Sequence, residues 1–298
     1  MQQKNKYIFL ILFQCAIFGI EFIAVKYILV AGYAPFFLLA IRFFIATLAL
    51  VGFYSIFNIF RSGKVNSFNK KELLYGVIAG IFLFLSFALQ TYGAKYTTPA
   101  KNGVFTGLYV IFTPIIVMLI TKKFTWKPLL IALVSFVGVM VVSNFFAEQL
   151  TINIGDFLTI LCAITFAAHF ILLEKFLTNS NIDFFNFTSI QLLVVAILSC
   201  ITAFSFEAIE FHNLILDAKV LWLFLFLGIV CTAFSYFIQT VAQSKLTANT
   251  VSVVSCSESV FAVIFGIYFG YDQFSLSLIV GTLIIVVSMV LISISNEK

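Results

Sequence analysis

Ten apolar stretches follow one another along this 298-residue chain with little between them: 7–29, 35–58, 72–93, 99–121, 127–145, 155–177, 184–206, 219–242, 246–269 and 274–294. Crossing the hydrocarbon of a bilayer takes about 20 mostly apolar residues in a helix. A chain in lipid must also satisfy its own backbone polar groups, so helices are what such runs form. Only 10% of the residues are charged and 62% are hydrophobic, whereas soluble domains carry roughly a quarter charged residues. The longest connections, Arg61–Lys71 and Phe206–Lys219, leave no room for a soluble domain. The sequence therefore predicts an all-α polytopic membrane protein with ten transmembrane helices. The five cysteines (Cys15, Cys162, Cys200, Cys231 and Cys256) fall inside apolar runs without CxxC spacing, so neither a disulfide nor a metal site is expected, and no cofactor. No small-residue cleavage site follows the first run, which reads as a retained helix.

The basic residues orient the chain. With the N-terminus in the cytoplasm, the inner segments hold Lys4, Lys6, Arg61, Lys64, Lys70, Lys71, Lys122, Lys123, Lys127, Lys175, Lys245 and Lys298. The outer segments hold only Lys26, Lys95, Lys101 and Lys219, and Arg42 is intramembrane. Twelve against four places both termini in the cytoplasm by the positive-inside rule. The extramembrane acidic residues (Glu148, Asp156, Glu207, Glu210, Asp217, Asp272) lean outward, which is compatible with this.

The chain also repeats itself. "FALQTYGAKYTT" (Phe87–Thr98) lies over "YFIQTVAQSKLT" (Tyr236–Thr247), and "FGIEFIAVK" (Phe18–Lys26) over "FAAHFILLE" (Phe166–Glu174), at offsets of 149 and 148 residues. Two halves of five helices follow, 1–147 and 148–298. Because five is odd, the second half enters the membrane from the opposite face, giving two inverted five-helix repeats, an arrangement used for alternating access.

The run "YTTPAKNGVFTGLYVIFTPII" (Tyr96–Ile116), the pair Gly155–Asp156 and "SESVFAVIFG" (Ser257–Gly266) resemble the motifs of EamA-type permeases of the drug/metabolite transporter superfamily. Ser259 stands where that family usually has proline, which argues against a kink in the ninth helix. If Pro114 and Ser259 correspond, the first half is four residues longer than the second before that point. The resemblance implies ten helices in two halves, and transport of amino acids, other metabolites or drugs.

Polar residues inside apolar runs mark candidate sites, because a charge near the bilayer centre costs several kcal/mol unless paired or wetted. Glu21 and Arg42 lie on neighbouring helices, both roughly 10–12 Å below the outer surface at 1.5 Å per residue. An ion pair between them would serve either as a structural lock or as a gate and binding group. Their repeat mates are His169 and, allowing one inserted residue, Gln191. His169 is either a satisfied core histidine or a proton site. Glu258 falls near the midplane in the polar run "SVVSCSES" with no basic residue at its depth, which makes it a solute or proton site, or a neutral carboxyl bonded to another helix. Gln90, Gln239, Asn102, Tyr109 and Tyr236 are neutral groups suited to orienting a polar solute, or to joining helices.

The expected function is that of a secondary transporter exporting small polar metabolites, such as amino acids or related compounds, by alternating access across the cytoplasmic (inner) membrane of a bacterium. There is no GxxxxGK[ST] and no domain to hold a nucleotide. The expected partners are a small solute, the lipid bilayer and a proton as candidate coupling ion, with no nucleic acid. The chain would act as a monomer or homodimer. The alternative is a membrane-embedded enzyme or a channel. Two histidines and scattered carboxylates count against a metalloenzyme, and the lack of a ring of like groups counts against a channel.

Overall fold

The computed structural model describes residues 2–62, 69–97, 99–145, 153–178, 180–207, 218–269 and 274–295, and no strand occurs among them. Nine of the described helical stretches are long and apolar enough to cross a membrane. They are built from α1 (Gln2–Val30), α2 (Pro35–Ser62), α3 (Lys70–Gly93), α4 (Pro99–Gly107) with α5 (Tyr109–Thr121), and α7 (Ile154–Leu177). In the second half they are α8 (Phe184–Phe206), α9 (Ala218–Phe226) continuing through a π-helical segment into α10 (Ser235–Gln243), α11 (Ala248–Ser255) with α12 (Ser257–Tyr268), and α13 (Leu276–Ile294). The fifth predicted segment, 127–145, forms the shorter α6 (Trp126–Val142), 17 residues long. The expected boundary at 147/148 lies outside the described residues, as do Glu148, Glu210, Asp217 and Asp272.

The two repeats are visible in the elements themselves. Pro35 and Phe184 open α2 and α8, Trp126 and Leu276 open α6 and α13, and the paired half-helices break after Gly107 and Ser255, always 148 to 150 residues apart. The ninth predicted helix is interrupted at Cys256, although Ser259 stands in place of a proline. Its break lies at Cys256 and its mate at Leu108, both before the positions of Ser259 and Pro114. The breaks therefore keep the 148-residue register, and the first half is not longer up to this point. Tightened turns mark both breaks: the N–H groups of Leu108 and Cys256 donate to Phe105 O and Val253 O, each at 3.3 Å. Serines supply what proline does not. The hydroxyls of Ser257 and Ser259 donate to Val254 O and Cys256 O, both at 2.8 Å, satisfying carbonyls where the ladder loosens.

Helix ends are tied across the repeats. The carboxylate of Glu207, at the end of α8, accepts the N–H groups of Phe36 and Phe37 (3.0 and 2.9 Å) and so caps α2. Glu72, in the first turn of α3, accepts Asp183 N–H (3.1 Å) and Asn186 Nδ2 (3.0 Å) at the start of α8. Each half thus caps the second helix of the other, placing an anion at a helix N-terminus. Asp156 and Glu207, expected at the outer surface, are both buried at such ends.

Lipid provides no hydrophobic drive between helices, so close approach and polar contacts must hold them together. α3 carries Gly76 and Gly80 on the face against α8. A Cβ at Gly80 would lie 2.7 Å from Val194 Cβ and 2.8 Å from Gln191 O, and one at Gly76 2.8 Å from Ile190 Cβ. Gly80→Ala is therefore expected to destabilise by about 1–3 kcal/mol, read as a lower unfolding temperature in detergent. Gly52→Ala, at a position with open space around it, should leave that temperature unchanged or higher.

Candidate functional site

A partly open cavity lies where α1, α3, α4, α5, α7, α10, α11 and α12 meet, beside both helix breaks. Its wall is assembled from repeat mates. Phe18 faces it with Phe166, Glu21 with His169, Phe87 with Tyr236, and Gln90 with Gln239. Each pair is 148 or 149 residues apart, so the two copies of one helix pattern contribute matching positions from opposite sides. Tyr109, Phe170 and Glu258 complete the wall together with Gln14, Thr106 and Ser255.

Glu21 and Arg42 meet. Arg42 Nη1 donates to Glu21 Oε1 at 2.5 Å, and Arg42 is 1% exposed. Arg42 Nε donates to Thr232 Oγ1 at 2.5 Å, and the guanidinium lies over the rings of Phe43 and Phe87 at 5.4 and 5.2 Å. Thr232 belongs to the π-helical segment Leu227–Phe234, where its hydroxyl donates five residues back to Leu227 O. The wide turn leaves a hydroxyl lone pair for Arg42. Arg42 itself lies behind the cavity wall, and Glu21 reaches the cavity in front of it.

The same positions in the second half are occupied by a neutral pair. His169 Nε2 lies 3.3 Å from Gln191 Oε1, and both residues are fully buried. A carbonyl oxygen can only accept, so Nε2 carries the proton in this contact. His169 Nδ1 is then a lone pair without a partner among the described residues. Gln191, like Arg42, stands behind the wall.

Of the sequence-predicted site residues, Glu21, Gln90, Tyr109, His169, Tyr236, Gln239 and Glu258 line the cavity. Glu258 has neither a hydrogen bond nor an ion pair among the described residues, while Gln90 Nε2 donates to Thr106 Oγ1 at 3.2 Å. Asn102 does not line it. Its Nδ2 donates to Gln90 O and Thr159 Oγ1, both at 3.1 Å, joining α3, α4 and α7. Gln14, Thr106 and Ser255 were not anticipated. Gln14 could have been found, since positions 14, 18 and 21 recur at the spacing of one helix face. Ser255 and Thr106 carry no such signal, because hydroxyls are ordinary in membrane helices.

Nothing in this wall resembles a clustered metal site: among the described residues no three His, Cys, Asp or Glu side chains come together to hold an ion. What it offers is a partly open, mixed aromatic and polar chamber between two related halves. Comparison with known proteins agrees. A solved structure described only as "Crystal structure of protein" matches with a TM-score of 0.77 at 14% identity, over 98% of this chain and 96% of that one, which bears on the fold alone. An "Uncharacterized transporter" of Archaeoglobus fulgidus is 29% identical over 252 residues, covering 84% of this chain and 74% of that protein. The EamA-like transporter family matches twice, over residues 5–144 and 153–294, once for each half of the bundle. The paired cavity wall and this double match have one origin: the chain belongs to the EamA-like transporter family.

Proposed function

We propose that the protein is a secondary transporter that moves a small polar metabolite, such as an amino acid or a related compound, outward across the cytoplasmic membrane of a bacterium by alternating access. The observation that carries this is the wall of repeat mates. A chamber built from matching positions of two inverted halves can present nearly the same groups to either side of the membrane. The units of motion are 1–147 and 148–298, and α6 serves as the tenth crossing, in keeping with its repeat mate α13. Both termini face the cytoplasm, as the lysine and arginine distribution implies. Glu21, Tyr109, Tyr236, Gln90, Gln239, His169 and Glu258 contact the solute; Arg42, Gln191 and Asn102 hold them in place. Transport in place of catalysis is the reading that the double family match supports. A proton is the candidate coupling ion, with Glu258 and His169 as groups that could carry it.

Single cysteines test the orientation and the motion, in a background with the five native cysteines replaced. A cysteine at Ala31 should react with impermeant reagents only from outside, and one at Lys123 only from the cytoplasm. Cysteines at Phe18 and Phe166, which face the cavity from opposite halves, should change their reactivity in opposite senses when a transported solute is added. Solute-independent access to both from both sides would indicate a pore.

The buried pair gives a further expectation. Glu21→Gln and Arg42→Gln should each cost about 3 kcal/mol of stability, because each strands a charge in a buried site. The double variant should cost clearly less than the sum, with a coupling energy above about 1 kcal/mol in a double-mutant cycle measured by unfolding in detergent. Additive losses would mean that the two side chains act independently.

A further inference from the structure

The two halves are copies, but one joint inside them differs. In the second half α10 and α11 both pack on α7, whereas among the described residues no comparable packing joins α3 or α4 to α1. By the repeat, α3 and α4 correspond to α10 and α11, and α1 to α7. The second half therefore has its hairpin folded in on its own first helix, and in the first half the hairpin stands off. Burial follows the same division. Thr106 and Ser255 are repeat mates that both line the cavity. Gly103 and Ser252 lie on the same faces, one turn nearer the start of each helix. A Cβ at Gly103 would meet nothing within 4 Å, while Ser252 is fully buried. Gln239 is buried too, and its mate Gln90 only half-buried. The cavity is thus closed at the end formed by α10 and α11 and open at the end formed by α3 and α4.

The bonds that fasten the closed end cannot be repeated at the other. Gln243 Nε2 donates to Phe170 O at 2.6 Å, tying the last residue of α10 to α7. Ala248 N–H, at the start of α11, donates to Glu174 Oε2 at 2.7 Å. The mate of Gln243 is Ala94, whose side chain has no donor. The mate of Ala248 is Pro99, which has no N–H, and that of Glu174 is Lys26, which cannot accept. A further tie, Thr188 Oγ1 to Thr240 Oγ1 at 2.9 Å, joins α8 to α10, and the mate of Thr188 is Leu39. When inverted copies exchange conformations in alternating access, the end at α3 and α4 has to close without any of these bonds.

We infer that Gln243 is a latch on the cytoplasmic end, and that it makes the outward-open arrangement the resting one of the empty protein. This rests on the proposed transport role and orientation, and adds which end is held shut when no solute is bound. Gln243 is fully buried, so its amide N–H loses a partner out of reach of water when α10 leaves α7. Opening the cytoplasmic end breaks that bond, and opening the outer end breaks no equivalent one.

Gly103→Cys and Ser252→Cys, each in the full-length protein without its native cysteines, read the two ends in membrane vesicles of either orientation. Without solute, position 103 should react with an impermeant maleimide from outside, and position 252 should stay unreactive from the cytoplasm. Gln243→Ala, which installs the residue of the mate, should raise the rate at 252 about threefold or more and lower that at 103. Ala94→Gln gives the outer end the donor it lacks and should lower the rate at 103 by a similar factor. Ala94 is exposed, so this variant does not endanger folding. Faster reaction at 252 from the cytoplasm than at 103 from outside, in the empty protein, would overturn the resting state. Unmoved rates in Gln243→Ala, or in Ala94→Gln where the first variant does not fold, would overturn the latch. Rates that respond to a transported solute in opposite senses, with no effect of either substitution, would leave the transport role standing and sink the latch alone. Equal access to both positions from both sides would sink the transport role itself.

Discussion

A guanidinium held in the membrane interior must have its charge answered, and the residues around Arg42 do so, although its Nη2 has no partner among the described residues. Glu21 supplies the charge from α1 at 2.5 Å, and Thr232 supplies a neutral acceptor from the π-helical segment. The rings of Phe43 and Phe87 cover the flat of the group. None of these is independent of the others. A threonine in a regular α-helix bonds back to the carbonyl four residues earlier. Here the hydroxyl reaches five residues back to Leu227, and the widened turn lets it accept from Arg42 at the same time. The irregular helix, the buried ion pair and the cavity face of Glu21 are thus one structure. Removing Arg42 would remove the reason for each.

The second half repeats the placement without the charge. His169 and Gln191 occupy the mates of Glu21 and Arg42 and keep the contact between them, at 3.3 Å. Both pairs lie within a single half. The contacts that cross between halves include Arg42 with Thr232, Ser86 with Thr165, Asn102 with Thr159, Gln14 with Gln239, and the carboxylate caps at α2 and α8. In membrane proteins such polar contacts average only about 0.6 kcal/mol each. The ion pair of Glu21 and Arg42 therefore lies within one half, while the polar contacts between halves accompany the close packing of α3 on α8.

How much of this could be read from residues alone differs from element to element. Arg42 and Glu21 were legible because a charge within an apolar run is conspicuous, and helical rise places both at one depth. His169 and Gln191 were legible only through the repeat, since neither is conspicuous alone. The break at Cys256 was not expected, because Ser259 replaces a proline; it has the same tightened turn as its mate at Leu108, which no proline or serine adjoins. For Asn102 the sequence left two roles open, orienting a solute or joining helices, and packing places it between α3, α4 and α7. The contact of Gln243 with Phe170 O, at 2.6 Å between residues 73 apart, was out of reach of the sequence.

The cavity lies in a bundle whose halves pack closely on each other, α3 against α8 above all at Gly76 and Gly80. The groups facing the cavity are bonded to a layer behind them: Arg42 to Glu21, Gln191 to His169, and Gln243 to Gln239, which in turn accepts from Gln14. Arg42 and Gln191 belong to the same half as their partners, but Arg42 is also held from the other half, where Thr232 accepts from its Nε at 2.5 Å. Gln14 likewise reaches across, donating to Gln239 at 2.9 Å. The placement of Glu21 and of Gln14 is therefore tied to the relative position of the halves, while His169 is placed from within its own half.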